Sequence, residues 1–266
     1  MVDDLERLVR AVAQSTKYRA VCPEVVRAIG ARELAAHRQW KDAVKATKNK
    51  LHQTGGAYLA ADLDYSAWET ELRRAAEDGQ EALRAVCRNV MLHQSSTRER
   101  LAIIEQFFTV SMAGMRPPRV VLDIACGLNP MAIPWMPLPA GVTYYAYDMY
   151  ADLAAFLNRS FKILCIHGEA SACDVVQHMP SLQADLALIL KSLPCLEQQD
   201  QAAGRRLLES IRAEHLLVSF PVRSLGGKDN RMSRNYEEHL RTIVAAEAWT
   251  VQRFEFATEL AFLVTK

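Results

Sequence analysis

The run Val120-Val121-Leu122-Asp123-Ile124 leads without a break into Ala125-Cys126-Gly127-Leu128-Asn129-Pro130. A strand covered on both faces of a parallel sheet reads as a continuous apolar stretch, and this one is interrupted only by Asp123 near its carboxyl end. It predicts a central, buried strand. The small residues after it predict a turn at which Gly127 lets the backbone approach a ligand closely. The dinucleotide fingerprint G-x-G-x-x-G uses three glycines to seat a pyrophosphate on a helix N-terminus, and this turn supplies one. A bound group without phosphate fits better, and S-adenosylmethionine is the common cofactor of that kind.

The pattern divides near residue 118, where Met115-Arg116-Pro117-Pro118 breaks a helix ahead of this strand. Residues 1–115 read as a helical domain and residues 116–266 as an α/β domain. In the first part, Leu5, Leu8, Val9 and Val12 recur at helical spacing, and Pro23 opens a short helix that Gly30 closes. A longer helix is predicted from about Arg32 to Leu51, ended by Gly55-Gly56. Amphipathic segments follow at Ala67 to Ala76 and Gln80 to Leu92, and Ser96 or Thr97 reads as the cap of the last helix. In the second part, strands are predicted near 120–124, 143–147, 162–166, 186–190, 215–220, 250–254 and 260–265, with helices in the gaps. That is a doubly wound, Rossmann-like sheet of the methyltransferase kind, finishing in two strands able to pair antiparallel. Ligands in such sheets sit beyond the carboxyl ends of the strands, where strand order reverses. The chemistry is therefore expected just after Ile124, Tyr147, Ile166 and Leu190.

Those ends carry suitable side chains. Asp148 ends the second strand, where a carboxylate accepts hydrogen bonds from ribose hydroxyls; it equally suits a helix cap. Asp174 follows the third strand and has the same two readings, as acceptor for an adenine amino group or as a cap. Lys191 follows the fourth strand, either as a catalytic lysine or as a structural one. Amino-methylating enzymes place an Asn or Asp, prolines and an aromatic here, and Lys191-Ser192-Leu193-Pro194-Cys195 lacks that arrangement. A ring nitrogen such as N7 of guanine has a free lone pair and asks only for alignment and exclusion of water.

Charge is nearly balanced over the chain, at +1, but not locally. Arg38, Lys41, Lys45, Lys48 and Lys50 make a basic helix followed by Tyr58, which suits a phosphate backbone or, equally, a solvated surface. The six cysteines show no C-x-x-C, and neither Cys165 with His167 nor Cys173 with His178 has the spacing of a zinc module. No metal is expected. No signal-peptide pattern follows Met1 and no apolar stretch approaches the about 20 residues of a membrane span, so a cytoplasmic protein with reduced thiols is expected.

Taken in order, Lys17 to Pro23, Leu51-His52 with Gly56-Ala57-Tyr58, Ser96 to Leu101, Val121 to Pro130, Asp185 to Ile189, Ser219 to Gly227 and Thr258-Glu259-Leu260 resemble the aminoglycoside-resistance 16S ribosomal RNA (guanine-N7) methyltransferases. The Asp-Ile-Ala-Cys-Gly-Leu-Asn-Pro and Ser-Phe-Pro-x-Arg-Ser-Leu-Gly-Gly runs together are the most specific. One departure is an additional residue between His93 and the Ser-Thr pair. The resemblance implies S-adenosylmethionine held by Asp123, Ala125, Gly127, Asp148, Asp174 and Lys191, with Arg100 bridging the methionine carboxylate and His93 nearby. It implies Lys191 and Arg223 at the guanine, Tyr58 stacked on a flipped base, and Lys228 with the basic helix on the RNA. The implied substrate is 16S ribosomal RNA within the small (30S) subunit, methylated at N7 of a decoding-site guanine. A small-molecule methyltransferase or a non-catalytic ribosome-binding factor would share parts of this pattern; an enclosed apolar pocket would mark the first, lost cofactor affinity the second.

Overall fold

The computed structural model describes residues 2–56, 63–178, 181–198, 200–222, 231–245 and 247–266. Among the described residues seven α-helices come first: α1 (Val2–Ala13), α2 (Pro23–Ala36), α3 (Trp40–Leu51), α4 (Tyr65–Asp78), α5 (Gln80–Met91), α6 (Ser95–Arg100) and α7 (Ile104–Ser111). From Val120 onward strands and helices alternate: β1 (Val120–Ile124), β2 (Thr143–Asp148), α8 (Ala151–Ile163), β3 (His167–Ala172), β4 (Gln183–Leu190), α9 (Leu193–Glu197), α10 (Ala203–Ser210), β5 (Arg212–Pro221), α11 (Arg231–Val244), β6 (Thr250–Glu255) and β7 (Glu259–Thr265).

The strands form one sheet in the order β3-β2-β1-β4-β5-β7-β6. β1 to β5 are parallel, while β7 runs antiparallel to both β5 and β6, as the final two strands were expected to pair. Strand order reverses between β1 and β4, and the crevice at that line is where a ligand belongs. Alternation along the strands separates two cores. Val121, Tyr144, Leu186 and Leu188 join one that also contains Leu8, Val25, Trp68 and Phe107 from the helical part. Leu122, Ile124, Ala187 and Ile189 join the other, against Leu207, Leu208, Leu240 and Ile243 of α10 and α11. The amino-terminal helices thus form one cover of the sheet.

Four sequence expectations need correction. Gly30 does not close α2, which continues to Ala36. A Cβ there would stand 2.6 Å from Leu8 Cδ2, so the glycine serves the close packing of α2 on α1. The single helix from Arg32 to Leu51 is two, because the backbone is extended at His37 and Gln39. That break turns α3 back toward α1, where the Trp40 indole donates to the Asp4 carbonyl at 3.3 Å and Arg7 lies 4.2 Å above its ring. Ser96 and Thr97 lie inside α6, whose N-cap is Gln94; the Thr97 hydroxyl donates to the Met91 carbonyl at 2.6 Å. The strand expected at 162–166 is the end of α8 and a turn through Cys165 at φ 56°, and the third strand is β3. The residues Ile163 to Ile166 imitate a buried strand, whereas the true edge strand, His-Gly-Glu-Ala-Ser-Ala, has little apolar character to reveal it.

Candidate active site

β1 ends in a turn with Ala125 at φ 50° and Gly127 at φ 51°. Left-handed backbone is costly for residues with a Cβ, which explains glycine at the second position and marks Ala125 as a strained residue held by its surroundings. The Cys126 N–H donates to the Tyr147 carbonyl at 3.0 Å, so the turn is stitched to the end of β2. Asp148 completes the stitch: Oδ2 accepts from Gly127 N at 2.8 Å, and Oδ1 from Met149 N at 2.7 Å and Tyr150 N at 3.3 Å. Burial pushes the Asp148 carboxyl above its ordinary value, against the opposing pull of those backbone donors.

A cavity of about 390 Å³ opens over this turn, within the usual range for ligand pockets. Of the residues expected at a cofactor, Ala125, Gly127, Asp148, Asp174 and Lys191 line it. Asp174, which follows β3, is 3% exposed. Its Oδ1 accepts from Val176 N at 3.0 Å and Gln177 N at 3.2 Å, while its Oδ2 is buried without a hydrogen-bond partner. An orphaned buried carboxylate oxygen in a cavity wall is costly unless a ligand donor meets it.

Three expected residues stand outside that lining. Asp123 is buried, with Oδ2 accepting from the Tyr144 hydroxyl at 2.6 Å and Asn129 Nδ2 at 2.8 Å. Burial, opposed by those two donors, raises its carboxyl to about 6. His93 packs on the Trp68 ring with centroids 4.8 Å apart, its Nδ1 3.1 Å from the Asn89 carbonyl. Arg100, expected to bridge a ligand carboxylate, is 1% exposed and already engaged: Nε and Nη2 donate to Glu259 at 3.0 and 2.7 Å, and Nη1 to Asn129 Oδ1 at 2.9 Å.

These contacts belong to a charged chain that sequence reading missed. Glu259, at the start of β7, is buried and also accepts from the Ser219 hydroxyl at 2.5 Å. Lys191 Nζ lies 3.4 Å from Glu259 and donates to Glu99 at 2.8 Å, its side chain 4% exposed and its backbone at φ 57°. Burial alone would raise the Glu259 carboxyl, but the Arg100 and Lys191 charges, together with the hydrogen bonds from Arg100 and Ser219, reverse this and hold it below the ordinary value. Gln94 was also missed. Its Oε1 accepts from Leu128 N at 2.6 Å, and its amide covers Gly127 so closely that a Cβ there would lie 2.0 Å from Nε2. The one signal in the sequence was Glu259 itself, a charge heading the apolar strand Leu260 to Val264.

Among the described lining residues, Glu99, Asp148 and Asp174 are acidic and Lys191 is the basic one. Such a wall suits a cationic ligand. Gly127, the orphaned Asp174 oxygen and this acidity together fit the adenosyl and sulfonium groups of S-adenosylmethionine. Among the described residues no group of three potential metal ligands occurs. Tyr58, Arg223 and Lys228 lie outside the described residues.

The ribosomal RNA methyltransferase (FmrO) family matches residues 14–263. The chain belongs to that family. It is 36% identical over 266 residues to a 16S rRNA (guanine(1405)-N(7))-methyltransferase of Frankia casuarinae, covering 98% of this chain and 94% of the relative. A Micromonospora echinospora protein of the same name is 33% identical, covering 99% and 97%. Among solved structures, the 16S rRNA methyltransferase RmtF in complex with S-adenosyl-L-homocysteine superposes with a TM-score of 0.84 at 30% identity, covering 100% of this chain and 99% of that one. The family membership and the S-adenosylmethionine-type fold expected from the β1 turn are thereby established, and the relative crystallised with the demethylated cofactor matches the chemistry of the wall.

The basic stretch of this FmrO-family chain is arranged by α3. Ala43, Thr47 and Leu51 are buried on one side, while Lys41 and Lys45 are exposed and Lys48 and Lys50 half-buried; Arg38 is exposed just before the helix. The turn His52–Gly56 carries α3 to the cavity, where Thr54 and Gly55 join the lining. A Cβ on Gly55 would meet Met149 Cε at 2.2 Å.

Proposed function

We propose that this chain transfers a methyl group to N7 of a guanine in the decoding site of 16S ribosomal RNA within the small ribosomal subunit, in the cytoplasm, and so protects the ribosome from aminoglycosides. The activated methyl is what S-adenosylmethionine supplies when bound. The observation carrying this reading is the Asp174 carboxylate, whose buried Oδ2 lacks a partner in the wall of the cavity over the Gly127 turn. In an rRNA methyltransferase family member, that oxygen is the acceptor for the adenine amino group, Asp148 serves the ribose, and Gly127 keeps the floor open.

The remaining residues act by holding and orienting. N7 needs no base to remove a proton, so alignment and a dry cavity are the protein's contribution. Lys191 carries its charge between Glu99 and Glu259, which leaves the wall without a net positive centre beside a cationic donor. Arg100 acts through Glu259, fixing the carboxylate that in turn holds Lys191. Arg223 and Lys228 are proposed at the guanine edge and its phosphates, and Tyr58 near the base. The basic side of α3, with Arg38, Lys41, Lys45, Lys48 and Lys50, docks the RNA backbone beside the cavity mouth.

The test is methyl transfer from labelled S-adenosylmethionine to purified small subunits, followed by mapping of N7-methylguanine by borohydride and aniline cleavage. A single modified decoding-site guanine, with raised gentamicin tolerance in a sensitive bacterium expressing the chain, is the expected result. Soluble expression with no modified guanine would refute it.

A further inference from the structure

The cavity has a second half, on the far side of the sheet's switch point from the two aspartates proposed at the adenosyl group. Asp148 ends β2 and Asp174 follows β3, on one side of the line between β1 and β4. Lys191, Pro194 and Cys195 follow β4 and Pro221 ends β5, on the other side. Tyr236 of α11 completes that second side. Its ring is half-buried and stacks on Phe220, with centroids 4.8 Å apart and planes 15° from parallel. Phe220 is itself fixed, 1% exposed and edge-on to Phe262 at 6.1 Å.

This support is rigid: a strand of the sheet carries Phe220, and Phe220 fixes the plane of Tyr236. Burial raises the phenol above its ordinary value, with the nearby Cys195 and Glu197 adding to the effect, so the hydroxyl is neutral. Among the described residues the Tyr236 hydroxyl has no hydrogen-bond partner. A flat, uncharged ring backed by a second ring, on the side of the cavity opposite the adenosyl residues, matches a purine in shape and chemistry. Stacking asks for a π-face and no particular edge, and a base taken out of its helix is commonly held between aromatic or apolar groups.

We infer that Tyr236 is the surface on which the target guanine lies, positioned by Phe220, so that its N7 faces the cofactor half of the cavity. The inference rests on the proposed rRNA methylation and adds a residue to it. The ring is the working part and the hydroxyl is not required.

The experiment measures single-turnover methyl transfer to small subunits, S-adenosylhomocysteine affinity and thermal midpoint for the parent, Tyr236→Phe, Tyr236→Trp and Tyr236→Leu. Loss of one base–aromatic stack corresponds to roughly a 5- to 150-fold slower transfer step for Tyr236→Leu. Tyr236→Phe is expected within about threefold of the parent, and Tyr236→Trp to recover most of the loss, since either ring offers a π-face. S-adenosylhomocysteine affinity is expected to stay at the parental value in all four proteins. Parental transfer by Tyr236→Leu, or a rate loss matched by equal losses of cofactor affinity and thermal midpoint, would overturn the inference. An inactive parent would instead refute the proposed function, so the two failures are distinguishable.

Discussion

Replacing Asp174 by Asn separates the adenine-binding role proposed for this residue from its structural one. Oδ1 accepts two backbone N–H groups, from Val176 and Gln177, and an amide oxygen in the same place keeps both. Oδ2, which has no partner, becomes an NH2 group. The wall then offers a donor where an adenine amino group also offers donors. What is lost is one hydrogen bond to a charged acceptor, worth about 1.5–3 kcal/mol, which corresponds to roughly 10- to 150-fold weaker binding. Calorimetric titration with S-adenosylhomocysteine measures the loss directly. A second titration uses the analogue with hydrogen in place of the purine amino group. The parent should bind this analogue more weakly by a similar factor, and Asp174→Asn should discriminate little between the two ligands, since the interaction is already gone. If the variant retains the full preference for the amino compound, or binds it as tightly as the parent does, the adenine assignment is wrong. The thermal midpoint should not fall, because no protein–protein hydrogen bond is removed.

Gly127→Ala should lose about 1–2 kcal/mol from left-handed backbone alone, and more because its Cβ would press on a Gln94 amide already bonded to Leu128 N; urea titration and S-adenosylhomocysteine affinity should both fall, and parental values for both would refute the turn geometry. Glu259→Gln should cost about 3–5 kcal/mol in urea unfolding, since Arg100 and Lys191 stay buried without their shared carboxylate. Glu259 sits below its ordinary value when folded, so its stabilisation is complete above the unfolded carboxylate range and is lost as pH falls through the folded value; that part of the acid dependence should vanish in the variant.

The sheet was legible from residue types because strands buried on both faces must be continuously apolar, as Val120 to Ile124 and Leu186 to Leu190 are. The edge strand β3 was not, since only one of its six residues is buried and the apolar end of α8 imitates a strand just before it. Site residues followed the same logic. Ala125, Gly127 and Asp148 could be placed on the cavity because strand order alone brings strand ends together; Asp174 lines it as well, although the strand expected ahead of it at 162–166 is the end of α8 and a turn. Glu259 could not, because its partner Arg100 is 159 positions away and only the closed fold joins them. Gln94 was invisible for a related reason: an amide in a helix-capping position carries no mark of the turn it covers. The break at His37 to Gln39 also lay beyond pattern reading, being set by Trp40 packing on α1.

The same long-range contacts decide how the two parts of the chain work together. The strands begin after Pro118, yet the cavity wall takes Val25, Thr54, Gly55, Gln94 and Glu99 from the helical part. Backbone bonds fasten the parts at the same place: Cys22 N to the Met149 carbonyl at 2.8 Å, and Ala151 N to the Ala20 carbonyl at 2.7 Å. On the sheet side both engage the segment directly after Asp148. A shift of the helices on the sheet would therefore move the loop that fixes Asp148, withdraw Gln94 from Gly127 and separate Glu99 from Lys191. The face proposed to dock RNA is carried on α3, whose end at Leu51 runs through only the His52–Gly56 turn to the cavity rim. If RNA docks on α3 as proposed, one turn of backbone separates that contact from the cavity lining at Thr54 and Gly55. Because one core is common to the helices and one sheet face, the basic side of α3 and the cavity belong to the same packed unit, and the proposed coupling between them needs no hinge.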